Sequence, residues 1–331
     1  MKYNSFDELE VAYCKLSDNE KFKEAIELFE EGLKTLPKEE YEKKFYDIMT
    51  EKCWLYCNDG RFDEAVETFS DLIDKGYICT IDWNWDELKG HEKYKELEEK
   101  NERMKIEAQK NAKFEYVVHV PEGYSEDKKY PLFFSLHGDG DNIKGHERYW
   151  KPEWLTKRGF IVVCPQSSKV HYHEGYIWID KDFYAESIET RKYPYTYGAM
   201  HDEFKDCYDT ICEQYSVDED NVIIGGYSGG SVASIDITIS NLIPVKGAIP
   251  LCSFKPRSFT EENVKGALQR GVKFVFMDGQ KDVPMEEVDE MISELEGHGI
   301  PYEYYINEGI GHMYPEDLEE KLDRALSFIM K

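Results

Sequence analysis

The sequence predicts an α/β domain with a mainly parallel sheet, preceded by an all-helical region. From residue 113 onward, short apolar segments alternate with amphipathic ones, as strands and helices do in a parallel sheet covered on both faces. Residues 1–110 instead show helical periodicity throughout. A glycine-rich pentapeptide, Gly226 to Gly230, separates an apolar run from a segment of small residues, which is typical of a tight strand-to-helix turn.

Each element of the α/β part follows from local pattern. The predicted strands are short and apolar, and several end at proline or glycine; they lie at 114–120, 131–136, 160–164, 221–225, 246–251, 272–277 and 302–306. Amphipathic stretches between them predict helices at 147–157, 202–215, 228–240, 260–270, 284–296 and 316–330. We therefore expect two domains, a helical one at 1–110 that includes a linker helix and an α/β one at 111–331.

The helical region contains an internal repeat. Phe22, Ala25 and Phe29 recur 40 positions later as Phe62, Ala65 and Phe69, on one helical face in each copy. A further helical stretch precedes each copy, so the pattern indicates two degenerate tetratricopeptide-like helix pairs. Two pairs are too few for a free-standing array. They either cap the second domain or bind a protein or peptide partner.

Charge, hydropathy and cysteine spacing argue against several classes of function and location. The net charge is −27, from 41 basic and 68 acidic residues, which disfavours nucleic acid and anionic lipid as partners. No stretch is long enough to span a membrane, and the first residues carry acids where a secretory signal is apolar. The eight cysteines lack paired short spacings, which predicts free thiols in a reducing cytoplasm and disfavours a zinc site at Cys53 and Cys57. We expect no bound metal and no cofactor.

Ser228, at the centre of the pentapeptide, is the candidate nucleophile. A serine hydroxyl needs a neighbouring base to remove its proton. Two histidines follow it in the chain: His312, in a glycine-containing loop after the last predicted strand, and His298, at a predicted helix end. We expect His312 to be the base. The alternative for Ser228 is an ordinary helix N-cap.

Four segments in this order resemble the α/β-hydrolase family, in particular its carboxylesterases and the related phospholipase- and depolymerase-like esterases. They are PLFFSLHGDGDN, VDEDNVIIGGYSGGSVAS, VKFVFMDGQKDVPMEEV and GIGHMYPED, within residues 113–331. The resemblance implies a triad of Ser228, Asp282 and His312, with Asp278 as the alternative acid. It also implies an oxyanion hole formed by the backbone N–H groups of Asp139 and Gly229.

The chain departs from the family pattern in two places. Only one clear strand precedes residue 131, where the family usually has two. Residues 166–200 form a long segment rich in aromatic residues, which either lines a substrate pocket or attaches an insertion to the sheet. The candidate pocket residues are His137, Tyr176, Trp178 and Tyr227. For His137 we favour the alternative of a neutral packing role. A carboxylate beside an oxyanion is unfavourable, so we expect Asp139 to point away or to select a cationic or hydroxylated substrate group.

The resulting hypothesis is a serine esterase that cleaves a small-molecule carboxylic ester through an acyl-enzyme. A peptidase or thioesterase would use the same triad. A third alternative is a non-catalytic hydrolase-like scaffold that recruits a partner through its helical region.

Overall fold

A computed structural model describes residues 2–80, 86–178, 200–282 and 285–331. The chain divides into two compact units, Met1–Lys110 and Asn111–Lys331. The predicted aromatic segment at 166–200 therefore lies partly outside the described residues, from 179 to 199. Within the described residues, no helix is both long enough and apolar enough to cross a bilayer.

The first unit is helical. Its helices are α1 (Phe6–Ser17), α2 (Phe22–Leu33), α3 (Lys38–Lys43), α4 (Phe45–Asn58), α5 (Phe62–Asp74), α6 (Asp86–Lys89) and α7 (Tyr94–Gln109). Helices α1 and α2 pack as one hairpin, and α4 and α5 pack as a second.

The two copies of the predicted repeat match in their buried residues and in the backbone conformation of the preceding turn. Ala25, Phe29, Ala65 and Phe69 are all buried in the core of this unit. The turns before α2 and α5 are also equivalent, since Glu20 has a φ of 58° and Gly60 a φ of 73°. The two helix pairs predicted at 1–110 are therefore present, while their kinship to tetratricopeptide repeats stays a prediction.

The second unit is built on a seven-stranded sheet with the order β1-β3-β2-β6-β7-β8-β9. All neighbouring strands are parallel except β1 and β3, which are antiparallel. The strands of this sheet are β1 (Glu115–His119), β2 (Tyr130–Leu136), β3 (Ile161–Gln166), β6 (Val217–Tyr227), β7 (Gly247–Leu251), β8 (Lys273–Gly279) and β9 (Tyr302–Asn307). A separate two-stranded hairpin comprises β4 (Lys169–Tyr172) and β5 (Gly175–Ile177).

Helices connect these strands, and apolar side chains cover both faces of the sheet. The helices are α8 (Ile143–Glu147), α9 (Pro152–Thr156), α10 (Met200–Gln214), α11 (Gly229–Ile239), α12 (Glu261–Arg270), α13 (Met285–His298) and α14 (Leu318–Ile329). Along β2, Phe134 packs into one core while its neighbour Phe133 packs into the core on the opposite face. Because β2 and β6 to β9 run parallel, their carboxyl ends meet at one edge of the sheet.

Three features of the second unit differ from the predictions made from local sequence pattern. Strand β6 begins at Val217 rather than 221, because the acidic stretch before the apolar run pairs with the start of β2. The single helix predicted at 147–157 is wrong: α8 already ends at Glu147, and a second short helix begins only at Pro152, where the missing N–H of proline costs nothing. The hairpin of β4 and β5 lies in a segment for which no strand was predicted.

Candidate active site

Ser228 lies in a strained turn between β6 and α11. Its φ of 52° and ψ of −123° are rare for a residue with a side chain. Hydrogen bonds hold the turn in place: Ser228 N–H donates to Leu251 O at 2.9 Å, and Ser231 Oγ donates to Ser228 O at 2.6 Å. Ser228 occupies the N-cap position of α11, but its side chain makes no capping hydrogen bond. Its hydroxyl is therefore available for another partner.

The glycines of the pentapeptide permit close packing around this turn. A methyl group at Gly226 would press on the carbonyl oxygen of Gly230, and one at Gly230 would overlap the carbonyl oxygen of His137. A methyl group at Gly138 would lie 3.5 Å from Ser228 Cβ. The loop after β2 is thus brought directly against the nucleophile turn.

His312 joins Ser228 to an aspartate. His312 Nε2 lies 2.8 Å from Ser228 Oγ, and His312 Nδ1 lies 2.9 Å from Asp282 Oδ1. With the imidazole proton on Nδ1, Ser228 donates to Nε2 and Nδ1–H donates to the carboxylate. His298, the other downstream histidine, lies at the end of α13 and bonds to Glu294 O at 2.9 Å. The structure therefore brings together Ser228, His312 and Asp282.

Asp278, the alternative acid, has a different environment. It lies at the end of β8, is 2% exposed, and accepts a hydrogen bond from Ser253 N–H at 3.1 Å. Burial raises the pKa of its carboxyl to about 7, with a further contribution from the charge of Asp282. Asp282 is the residue whose carboxylate contacts the His312 ring.

Asp139 does not point away from the nucleophile turn. Its carboxylate lies where a side chain on Gly229 would begin, and its Oδ1 accepts the backbone N–H of Trp178 at 2.6 Å. The expectation of an outward-facing carboxylate is corrected, because Trp178 and the loop after β2 hold it inward. A negative charge thus lies beside the two predicted oxyanion donors.

Two of the four candidate pocket residues are buried supports of this loop. Trp178 is fully buried, donates from Nε1 to His137 O at 2.8 Å, and contacts the His137 ring at 4.9 Å. His137 is also fully buried; its Nδ1–H donates to Gly138 O at 2.7 Å, and burial lowers its pKa to about 4. Both side chains are buried and support the loop after β2. This corrects the predicted place of Trp178 in a substrate pocket, and for His137 it agrees with the packing role that we favoured over a pocket role.

The other two candidates differ from this pair. Tyr176 is half-buried, and its backbone bridges to the loop after β2, with Gly140 N–H donating to Tyr176 O at 2.7 Å. Tyr227 is half-buried, and its hydroxyl donates to the backbone carbonyl of His312 at 2.7 Å. Tyr227 therefore touches the histidine loop directly.

Sequence patterns did not identify several residues around the site. Tyr314 lies 4.2 Å from the Tyr227 ring, measured between centroids, and its hydroxyl contacts His146 Nδ1 at 2.9 Å. Phe254 contacts the His312 ring at 5.9 Å. The only signal for Tyr314 was its position two residues after His312, and Phe254 had none.

Cys252 adds a metal-ligating atom to the site. Its Sγ, an Asp282 oxygen and a His312 nitrogen all lie within 4.8 Å of one another. Both His312 nitrogens already face partners, one Ser228 and the other Asp282. This geometry fits proton transfer better than metal coordination.

Comparison with known proteins supports the fold. No protein-family model matches the chain. Dipeptidyl-peptidase 5 of Aspergillus fumigatus is 26% identical over 116 residues, which are 34% of this chain and only 15% of that relative. An uncharacterized protein from Bacillus cereus superimposes with a TM-score of 0.52 and 22% identity, covering 98% of each chain. A carboxylesterase from Bacillus cereus does so with a TM-score of 0.50 and 17% identity, covering 68% of this chain and 99% of that one.

At such low identity, these similarities establish architecture. The seven-stranded sheet, the strained turn at Ser228 after β6 and the structural neighbours together show that this chain has the α/β-hydrolase fold, preceded by a helical region.

Proposed function

We propose that the protein is a serine hydrolase that cleaves a carboxylic ester through an acyl-enzyme on Ser228. One observation carries the proposal: the continuous line from Ser228 Oγ through His312 to Asp282, with contacts of 2.8 Å and 2.9 Å. A serine and histidine within hydrogen-bond reach, with the histidine oriented by an acid, is the arrangement that activates a hydroxyl nucleophile.

The first half of the reaction forms the acyl-enzyme. Ser228 Oγ attacks the ester carbonyl carbon while His312 Nε2 takes the hydroxyl proton. Asp282 stabilises the imidazolium that results and keeps the remaining proton on Nδ1. His312 then gives its proton to the leaving alkoxide as the carbon–oxygen bond breaks.

The second half returns the enzyme to its starting state. Water attacks the acyl carbon and loses its proton to His312, and Ser228 Oγ leaves with that proton. Both tetrahedral intermediates carry a negative oxygen. We assign the backbone N–H groups of Gly229 and Asp139 to it, because Gly229 follows the nucleophile and the loop after β2 packs against this turn.

The direct test is an ester panel run on matched variants. Purified protein is assayed on p-nitrophenyl esters of increasing acyl length and on aryl esters, beside Ser228→Ala and Ser240→Ala. Ser240 is the control because it lies just after α11, where its hydroxyl donates to the backbone oxygens of Asp236 at 2.6 Å and Ile237 at 3.5 Å. Ser228→Ala should lower kcat by about 10⁴-fold or more. Ser240→Ala should leave it unchanged.

A fluorophosphonate probe reports on the nucleophile itself. The parent protein and Ser240→Ala should each take up one label, located on Ser228 by peptide mass spectrometry. Unchanged hydrolysis by Ser228→Ala would refute the mechanism. Failure of the parent protein to label or to cleave any ester would favour the scaffold alternative, in which the hydrolase-like unit has no activity.

Amide cleavage is the second candidate, favoured by the segment shared with dipeptidyl-peptidase 5. The same triad can cleave esters and amides, so only an assay with both kinds of substrate distinguishes an esterase from a peptidase. Dipeptide p-nitroanilides assayed beside the matching p-nitrophenyl esters separate the two. We expect the esters to react and the anilides to fail, and the opposite preference would make the protein a peptidase.

A cytoplasmic location and a docking role for the helical unit stay as proposals. All eight cysteines are free thiols, which supports a reducing compartment. The two helix hairpins support a surface for a protein or peptide partner, and co-purification of a partner with the full chain is the test.

A further inference from the structure

Three side chains with metal-ligating atoms meet at the antiparallel edge of the sheet. They are His119 on β1, Cys164 on β3 and Glu147, the last residue of α8. His119 pairs with Val162 across the two strands, so His119 and Cys164 are diagonal neighbours on one face. None of the three has a part in the hydrolysis proposed above.

The distances suit a shared ion. His119 Nε2 lies 2.7 Å from Glu147 Oε1, and the ligating atoms of all three residues fall within 4.8 Å of one another. Ligands on one tetrahedral zinc ion lie about 3.3–3.6 Å apart. The histidine and carboxylate would separate slightly and the sulfur would approach by up to about 1 Å, which side-chain rotations can supply.

The chemistry and the access also suit a divalent cation. One nitrogen, one oxygen and one sulfur ligand form a set that zinc accepts readily. A thiolate and a carboxylate together balance a charge of +2. Cys164 is 1% exposed, whereas the His119 and Glu147 side chains are 32% and 25% exposed, so the site is open on one side. Burial, Glu147 and Glu153 raise the pKa of the Cys164 thiol, so the sulfur stays protonated until the charge of a bound cation displaces its proton.

We propose that His119, Glu147 and Cys164 form a Zn²⁺ site, with water as the fourth ligand. In the free protein, His119 Nε2–H donates to the Glu147 carboxylate. Binding breaks this hydrogen bond and releases two protons to solvent, one from His119 Nε2 and one from the Cys164 thiol. His119 then coordinates through Nε2 and retains the proton on Nδ1. The ion ties edge strand β1 to β3 and to α8, which follows the loop that carries Asp139.

Cobalt binding gives a direct test with a readout independent of activity. The full-length protein is treated with chelator, dialysed and titrated with Co²⁺, then with Zn²⁺ in competition. We expect one equivalent of Co²⁺, an intense thiolate-to-cobalt charge-transfer band in the near ultraviolet, and loss of that band when Zn²⁺ displaces Co²⁺. Absence of the band in the folded parent protein would overturn the proposal.

Variants separate this site from the second group of ligating residues found among the described residues, Cys252, Asp282 and His312. Losing a group that only hydrogen-bonds a metal ligand already costs about 10- to 100-fold in affinity. His119→Gln and Cys164→Ser should therefore each weaken Co²⁺ binding by about a hundredfold or more, and Cys164→Ser should also abolish the charge-transfer band. Cys252→Ser should retain both the affinity and the band.

The variants are interpreted only after circular dichroism shows a folded protein. If Cys164→Ser fails to fold because Cys164 is buried, His119→Gln still tests the site, since His119 lies on the edge strand β1 and is partly exposed. A band that survives in His119→Gln at parental affinity, or that disappears in Cys252→Ser, would overturn the assignment. Zn²⁺ should also raise the melting temperature of the parent protein by clearly more than that of His119→Gln at the same Zn²⁺ concentration.

Discussion

Tyr227, the residue before Ser228, donates a hydrogen bond from its hydroxyl to the backbone carbonyl of His312 at 2.7 Å. The two residues are 85 positions apart in the chain, and their rings lie 5.2 Å apart. Tyr314 packs on Tyr227 and contacts His146, whose Nε2 lies 2.8 Å from Ser135 Oγ on β2. The nucleophile turn and β2 therefore fix the loop that carries the histidine.

Removing this hydroxyl should slow catalysis without weakening substrate binding. Tyr227→Phe keeps the ring but loses a hydrogen bond worth about 1 kcal/mol, so kcat should fall about fivefold with KM unchanged. Steady-state kinetics on the best p-nitrophenyl ester measure the change. Tyr208→Phe is the control, because it removes a hydroxyl that contacts Glu219 at 3.3 Å. A rise in KM at constant kcat would show that Tyr227 contacts substrate instead.

Exchanging each candidate acid for its amide should identify the member of the triad. Asp282→Asn should lower kcat by about 10³- to 10⁴-fold, because an amide no longer favours the useful tautomer of His312. Asp278→Asn should stay within about threefold of the parent, since Asp278 bonds Ser253 N–H rather than the imidazole. The reverse ranking of the two kcat values would assign the role to Asp278.

The inward carboxylate of Asp139 should restrain the reaction of neutral esters. Its charge lies beside Gly229, where the oxyanion is proposed to form, and like charges repel. Asp139→Asn keeps an oxygen to accept the Trp178 N–H and removes the charge. We expect kcat on neutral esters to rise about fivefold, equivalent to about 1 kcal/mol.

The same variant should react more slowly with an ester that bears an ammonium group near its carbonyl, because an attractive charge is lost. Asp206→Asn, on α10, controls for the change in net charge and should alter neither rate. A fall in kcat on neutral esters would show that Asp139 assists the reaction through its charge.

Replacing Gly230 by alanine should destabilise the protein, whereas the same replacement at another helical glycine, Gly266, should not. A methyl group at Gly230 would overlap the carbonyl oxygens of His137 and Leu136, which are backbone atoms that cannot rotate away. Gly230→Ala should lower the free energy of unfolding by about 1–3 kcal/mol. Gly266→Ala, in α12, meets only the Arg270 side chain and should raise it by up to about 1 kcal/mol. Urea denaturation compares them, and equal effects would contradict the close packing.

Much of the fold could be predicted because its signals are local. Residues close together in the chain are enough to reveal the alternation of apolar strands with amphipathic helices. The strands predicted at 131–136 and 272–277, for example, match β2 and β8 closely. The glycines around Ser228 likewise predicted the strained turn, and its φ of 52° confirms it. The repeat at 22–29 and 62–69 needed only comparison of the chain with itself.

Features that depend on tertiary contact could not be predicted in this way. The residues that extend β6 back to Val217 are acidic, and only pairing with β2 makes them a strand. Trp178 was predicted as a pocket residue, because sequence periodicity does not show that its indole packs beside His137. The contact of Tyr227 with His312 joins residues whose proximity only the assembled sheet creates.

Asp278 should make the protein less stable as the pH rises from about 4 to about 7. Its pKa is near 3.8 when exposed and about 7 in the folded state, so the folded state holds a proton that the unfolded chain has lost. The free energy of unfolding of Asp278→Asn should equal that of the parent at pH 4 and exceed it at pH 8, by at most about 4 kcal/mol.

The amide is a suitable replacement for the Asp278 carboxyl. Its oxygen still accepts the Ser253 N–H, and its NH₂ offers a donor in place of Oδ2, which has no hydrogen-bond partner among the described residues. Urea denaturation at each pH measures the difference, with the exposed Asp127→Asn as control. A difference that stays constant across the pH range would show that Asp278 is ionised throughout it.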